Sequence, residues 1–181
     1  MTTDHTIPAH WVGQTVAVIG NPSWVTAELV KTIKADHYIA ANSAILKVPH
    51  AEYLVAIDGN WPAEAESLPA QRIVGIRSEK DALYVQLPYE AVALSARNVV
   101  QFRSNLLSAM RIAAQMGAAR IIVTAPDPVE YAKMGHDPVI NDALAAGFLQ
   151  VTANLRAQGV TVDVIERPVA PAPTRRSKSW V

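Results

Sequence analysis

The chain has 181 residues, 50% of them hydrophobic and 18% charged, enough for one well-buried domain and short for two. Its 16 basic and 16 acidic residues cancel, which speaks against a nucleic-acid or membrane-surface binder, and the absence of cysteine excludes disulfides, thiolate metal sites and a cysteine nucleophile. No apolar run approaches the roughly 20 residues of a membrane span, and no basic segment leads into an apolar core at the start, so the expectation is a cytoplasmic protein without a signal peptide.

Residues 1–13 read as a lead-in, with Trp11 and Val12 packing on a sheet edge. Thr15 to Ile19 is an apolar run suited to a strand buried on both faces, and it leads into Gly20-Asn21-Pro22-Ser23. Gly20 allows a sharp turn, Pro22 suits the first turn of a helix, and Asn21 or Ser23 can cap that helix, predicted over about 23–33. Strand two is predicted at 37–41, ending at Asn42, with a helical turn at 43–48. Strand three covers 53–57 and ends at Asp58, and a short helix follows at 62–67. Strand four is predicted at 72–76 and a further short strand at 83–87, with a long loop over 88–102.

Ser104 opens the clearest helix, about 105–116, with Leu106, Leu107, Met110, Ala113 and Ala114 on one stripe and Gly117 ending it. Strand five is expected at 120–124, followed by a loop through Asp127. A second loop carries Tyr131, Lys133, Gly135 and His136, and a long helix covers 139–157. The last strand is predicted at 160–165. From Arg167 the chain turns basic and proline-rich, with Pro168, Pro171 and Pro173, and reads as an extended, poorly packed tail. The expected organisation is a lead-in (1–13), an α/β domain (14–166) and a tail (167–181).

Alternating strands and helices predict an α/β fold, a mainly parallel sheet with helices on both faces. Ligands bind such sheets at the carboxyl ends of the strands, a rule that selects Gly20 to Ser23, Asn42, Asp58 and the loop at Asp127. Gly20, Asn21 and Ser23 either hold a phosphate or nucleoside edge, or form a plain turn and cap. Asn42 reads a base or ribose, or is a turn residue. Asp58 orients a ligand hydroxyl or holds Mg²⁺, or it caps the turn at Gly59; Asp127 has the same two readings. His136 is a general base or an exposed loop histidine. Ser104 and Asn105 form an anion site or an ordinary cap. The remaining histidines have no partner at metal-ligand spacing, and no metal ligand set is assigned. Neither Gly-x-Gly-x-x-Gly nor Gly-x4-Gly-Lys-[Ser/Thr] occurs, which argues against an ordinary NAD enzyme and a P-loop hydrolase. The Ala-rich helices, with Met110, Met116 and Phe148, permit a homo-oligomer.

Val18-Ile19-Gly20-Asn21-Pro22-Ser23 resembles the Gly-Asn-Gly-Pro-Ser loop of a Rossmann-like superfamily. That group includes archaeal 6-hydroxymethylpterin diphosphokinases, bacterial sialyltransferases and uncharacterised phage-encoded proteins. Ile39 to Ala44 is similar to its "Ala-Val-Asn" segment, Tyr53 to Asp58 to its third strand, and Ser104 to Asp127 to its Ser-Gly–helix–strand–Gly-x-Asp block. Here the loop is one residue shorter, Ser-Gly is Ser104-Asn105, and Ala125-Pro126 precedes the second acid. The resemblance implies a nucleotide or nucleotide-activated ligand and glycosyl or diphosphoryl transfer. Gly20 to Ser23 and Asn42 would then hold the ligand, Asp58 and Asp127 would orient the acceptor or Mg²⁺, and His136 would act as base. The alternative is a non-catalytic nucleotide-binding or interaction module, such as a phage accessory protein, on the same fold.

Overall fold

The computed structural model describes residues 9–74, 83–84, 90–95, 98–102, 104–133 and 137–168. The first half runs β1 (Thr15–Ile19), α1 (Ala27–Thr32), β2 (His37–Ala41), a 3-10 turn (Asn42–Leu46), β3 (Tyr53–Val55), a second 3-10 turn (Ala63–Ser67), β4 (Gln71–Val74) and β5 (Leu83–Tyr84). The second half runs β6 (Glu90–Ser95), β7 (Asn98–Phe102), α2 (Asn105–Gln115), β8 (Arg120–Thr124), α3 (Pro128–Lys133), α4 (Pro138–Ala157) and β9 (Thr161–Ile165). Seven strands form one sheet in the order β5-β4-β3-β2-β1-β8-β9, and every neighbouring pair is parallel. The α/β class with a parallel sheet is therefore as the alternation of the sequence predicts.

β1 is an interior strand, between β2 and β8, and is buried on both faces. Val16 and Val18 face one core, built with α2, α4 and Trp11; Ala17 and Ile19 face the other, built with α1 and the 3-10 turns. The period-2 alternation of a strand divides these residues between the two layers. α2 fills the first layer with Leu107, Met110, Ile112 and Ala113, all fully buried, and each large side chain contributes about 1.5–3 kcal/mol by leaving water. Met116 and Phe148 are buried in this same core, so these residues and Met110 serve the chain's own interior and are not available to a partner.

Several expectations need correction. α1 begins at Ala27, capped by the Thr26 hydroxyl accepting from the Leu29 N–H at 3.1 Å, and Pro22 lies in a separate turn closed by the Val25 N–H on the Pro22 carbonyl. The Gly20–Ser23 loop thus has no helix N-terminus directly behind it. The predicted loop over 88–102 holds an antiparallel hairpin, β6 with β7, alongside α4 and apart from the main sheet. Its link, Ala96-Arg97, lacks the Asn-Gly or Asp-Gly signal that marks a hairpin in sequence. The expected loop through Tyr131 and Lys133 is the helix α3. Asp127-Pro128-Val129-Glu130 is a helix start, with an acidic N-cap, proline at the first position and glutamate at the third. β3 ends at Val55, and the Gly59 N–H closes a turn on the Ala56 carbonyl at 3.0 Å.

At the lead-in, Trp11 is buried and stacks on His37 with ring centroids 4.6 Å apart, whereas Val12 is 72% exposed. Gly117 ends α2 as expected, at φ +94°, and a Cβ there would meet Val12 Cγ2 at 2.9 Å. At the other end Arg167 is exposed and pairs with Asp127. The remainder of the predicted tail, 169–181, lies outside the described residues, as does His136. Among the described residues no helix is long and apolar enough to cross a membrane.

Candidate functional site

The chain enters the sheet at β1, builds β2 to β5 on one side, and returns to place β8 and β9 on the other. The boundary between β1 and β8 is therefore the topological switch point, where the following loops part and leave a crevice. A cavity of about 390 Å³ opens there, within the size range of small-ligand sites.

Gly20 forms its floor. Its buried N–H donates to Thr124 Oγ1 at 2.7 Å, which ties the end of β1 to the end of β8. A Cβ on Gly20 would lie 3.3 Å from that oxygen and 3.4 Å from Leu106 Cδ1, so the strand ends and α2 approach closely because this residue has no side chain. Next, Asn21 Nδ2 donates to Ser43 Oγ at 2.6 Å. Asn42 follows β2 in the left-handed region, at φ 51°, a conformation that asparagine tolerates better than most residues. At the start of α2, Ser104 Oγ accepts from the Leu107 N–H at 3.4 Å, and Asn105 Oδ1 accepts from the Ile57 N–H at 2.8 Å. Asn105 thereby joins α2 to the chain just beyond β3.

Five of the expected binding residues, Gly20, Asn21, Asn42, Ser104 and Asn105, line this one cavity. They come from three loops that the sheet order brings together. α3 and α4 supply the opposite wall with Glu130, Tyr131, Ile140, Asn141 and Leu144. Asn141 is 6% exposed, and its buried Nδ2 has no hydrogen-bond partner. A buried amide donor left unpaired costs about 1–3 kcal/mol, so it marks a place where a ligand acceptor would be stabilising.

The remaining expected residues have other surroundings. The Ser23 N–H donates to both carboxylate oxygens of Glu130, at 2.8 and 2.7 Å, and Ser23 is not part of the cavity lining. Asp127 is 7% exposed; Oδ1 accepts from the Glu130 N–H at 3.1 Å and Oδ2 pairs with Arg167 Nη1 at 3.2 Å. It is the cap of α3. Asp58 is exposed, accepting from the Asn60 N–H at 3.2 Å and from Asn60 Nδ2 at 3.3 Å. Neither Asp58 nor Asp127 lines the cavity, and the described residues contain no group of three or more metal-ligating acids and histidines.

Two ionisable neighbours are perturbed. Burial, followed by the charges of Glu130 and Asp127, pushes the Tyr131 phenol above its ordinary value. Burial pulls Lys47 down against an opposing pull from Glu130, and its Nζ donates to the Pro22 carbonyl at 3.0 Å. Tyr131 is therefore a neutral hydroxyl at physiological pH.

Glu130, Tyr131 and Asn141 were not expected at the site. The capping sequence at Asp127–Glu130 is the signal that α3 exists. Asn141 is legible only as a polar residue among the apolar positions of α4, which does not say what it faces. Comparison with protein-family models, curated proteins and solved structures finds no match to this chain.

Proposed function

We propose that the protein binds a nucleotide or nucleotide-activated metabolite, gripping it by its nucleoside part in the cavity at the switch point. The observation that carries this reading is the set of amides on the cavity wall: Asn21, Asn42 and Asn105 on one side and the unpaired, buried Asn141 on the other. An amide offers donors and acceptors without charge, as the edge of a base or a ribose requires. Leu106, Ile140 and Leu144 add the apolar surface on which a base packs. The resemblance of the loop and strand segments to the diphosphokinase and sialyltransferase superfamily supports the same ligand class.

Of the two uses of such a site, binding without turnover is favoured over glycosyl or diphosphoryl transfer. Asp58 and Asp127 are engaged by their own turn and helix, and neither lines the cavity. Acid–base chemistry needs a group within hydrogen-bond reach of the reacting atoms, and the carboxylate that does line the cavity, Glu130, is occupied by the Ser23 N–H.

The test is a thermal-shift screen of the full chain with nucleosides, nucleotides and nucleotide sugars, each with and without Mg²⁺. A ligand at 100 times its dissociation constant adds about 2.7 kcal/mol of stability. The expected hit is lost in Asn141→Ala and Asn42→Ala. A flat screen would remove the reading. Hydrolysis or transfer of a bound nucleotide sugar, followed by chromatography, would replace binding with turnover.

A further inference from the structure

We infer that Glu130 sets the ligand class of this site, selecting nucleosides over their 5′-phosphates by presenting its own carboxylate, held on the Ser23 N–H, in the cavity wall. The inference rests on the nucleoside grip proposed above and changes the preferred ligand from the nucleotide to the nucleoside itself.

A loop after the first strand of a parallel sheet attracts anions because its N–H groups are unpaired and a helix dipole stands behind them. Here the helix is displaced from the loop and one of the loop's N–H groups is taken by a carboxylate. The helix begins at Ala27, and the Ser23 N–H is taken by both Glu130 oxygens, at 2.8 and 2.7 Å. The anion at this loop is part of the protein.

The charge around the cavity points the same way. Glu130 is the sole charged side chain among the described residues that line it. Lys47, the cation near enough to feel Glu130, is engaged by the Pro22 carbonyl and is not part of the lining. A phosphate entering the cavity meets a like charge with no cation among the described lining residues to offset it, whereas a ribose hydroxyl or a base amino group can donate to the carboxylate. Selection against a competitor by a repulsive charge is a common device of specific sites.

The experiment is isothermal titration of the full chain and of Glu130→Gln. The probes are adenosine, cytidine, guanosine and uridine, each beside its own 5′-monophosphate. Glutamine keeps an acceptor for the Ser23 N–H and removes the charge. The expected result is that at least one nucleoside binds the unaltered protein roughly tenfold tighter than its monophosphate, and that Glu130→Gln closes that gap by gaining the monophosphate. Glu130→Asp, which keeps the charge, retains a preference for the nucleoside. A monophosphate that binds the unaltered protein as tightly as its nucleoside, or a gap unchanged in Glu130→Gln, overturns the inference and leaves the nucleoside reading standing. Failure of every nucleoside and monophosphate to bind either protein removes the nucleoside reading, and the inference with it. The lack of a preference on the unaltered protein overturns the inference by itself, whatever the stability of the variants.

Discussion

Two walls of one cavity, the Gly20–Ser23 loop and the start of α2 at Ser104–Asn105, are built from similar polar residues and satisfy their hydrogen bonds in opposite ways. At the start of α2 the solution is local: Ser104 caps its own helix, and Asn105 then has an acceptor left to hold the Ile57 N–H. At the loop the solution is remote: the Ser23 N–H is satisfied by Glu130, 107 residues away in sequence. The Gly20 N–H likewise depends on Thr124, 104 residues away. A locally capped turn carries its own partner wherever the fold puts it. A remotely capped loop is available to a ligand only if the rest of the chain leaves it so.

The largest expected effect follows from breaking the remote side. Thr124→Val removes the hydroxyl that accepts from the buried Gly20 N–H and costs about 1–3 kcal/mol in urea unfolding. A loss under about 0.5 kcal/mol would mean that the N–H finds another acceptor and that the two walls are less different than their geometry says. Asn105→Ala strips the Ile57 N–H of its acceptor on the local side, at about 1–2 kcal/mol, and Asn105→Asp recovers most of this because a carboxylate oxygen accepts as well. Equal losses for the two would show that packing, not the acceptor, is at stake.

Ser104→Ala should cost about 1 kcal/mol by removing the cap of α2, and Ser104→Gly only a few tenths. A smaller effect comes from Tyr131 at high pH. The unfolded chain begins to ionise this phenol near 10.0, while the folded chain, with its raised value, still holds the proton. The unfolded state then binds fewer protons, so stability falls as pH rises through this window. Tyr131→Phe lacks this loss, and its urea midpoint should gain on that of the unaltered protein between about pH 8 and pH 10.5. Smallest of all is Glu130→Gln without ligand, expected within about 0.5 kcal/mol, because Ser23 is exposed and the amide oxygen still accepts. A large loss there would make Glu130 a structural residue first.

The sheet strands were largely legible because each is a short apolar run bounded by turn residues, and α2 and α4 because their stripes repeat at helical spacing. The hairpin was not: its link carries none of the usual turn residues, so Glu90 to Phe102 reads as irregular. The misplaced start of α1 has a different cause. Pro22 and Ser23 are good residues for a helix start, but Thr26 is an equally good cap, and packing of Val25 and Val30 into the second core accompanies the later start. At the site, Gly20, Asn21 and Asn42 were found by the rule about strand ends, and Ser104 and Asn105 as the start of a clear helix. Asp58 and Asp127 obey the same rule but are engaged by neighbours within three residues and, for Asp127, by Arg167 as well.

What the sequence determined alone is what depends on near neighbours: strands from alternation and apolar runs, the cap of α2 from Ser104, the turn after α2 from Gly117. These follow from backbone geometry and side chains a few positions apart, so they can be read in order along the chain. Tertiary structure alone decided which donors stay open. Whether the Ser23 N–H meets a ligand or Glu130, and whether Asn141 finds a partner, depends on how α3 and α4 pack across the end of β1. Hydrogen-bond groups are satisfied by whatever lies about 3 Å away, and only the folded chain determines which residue that is.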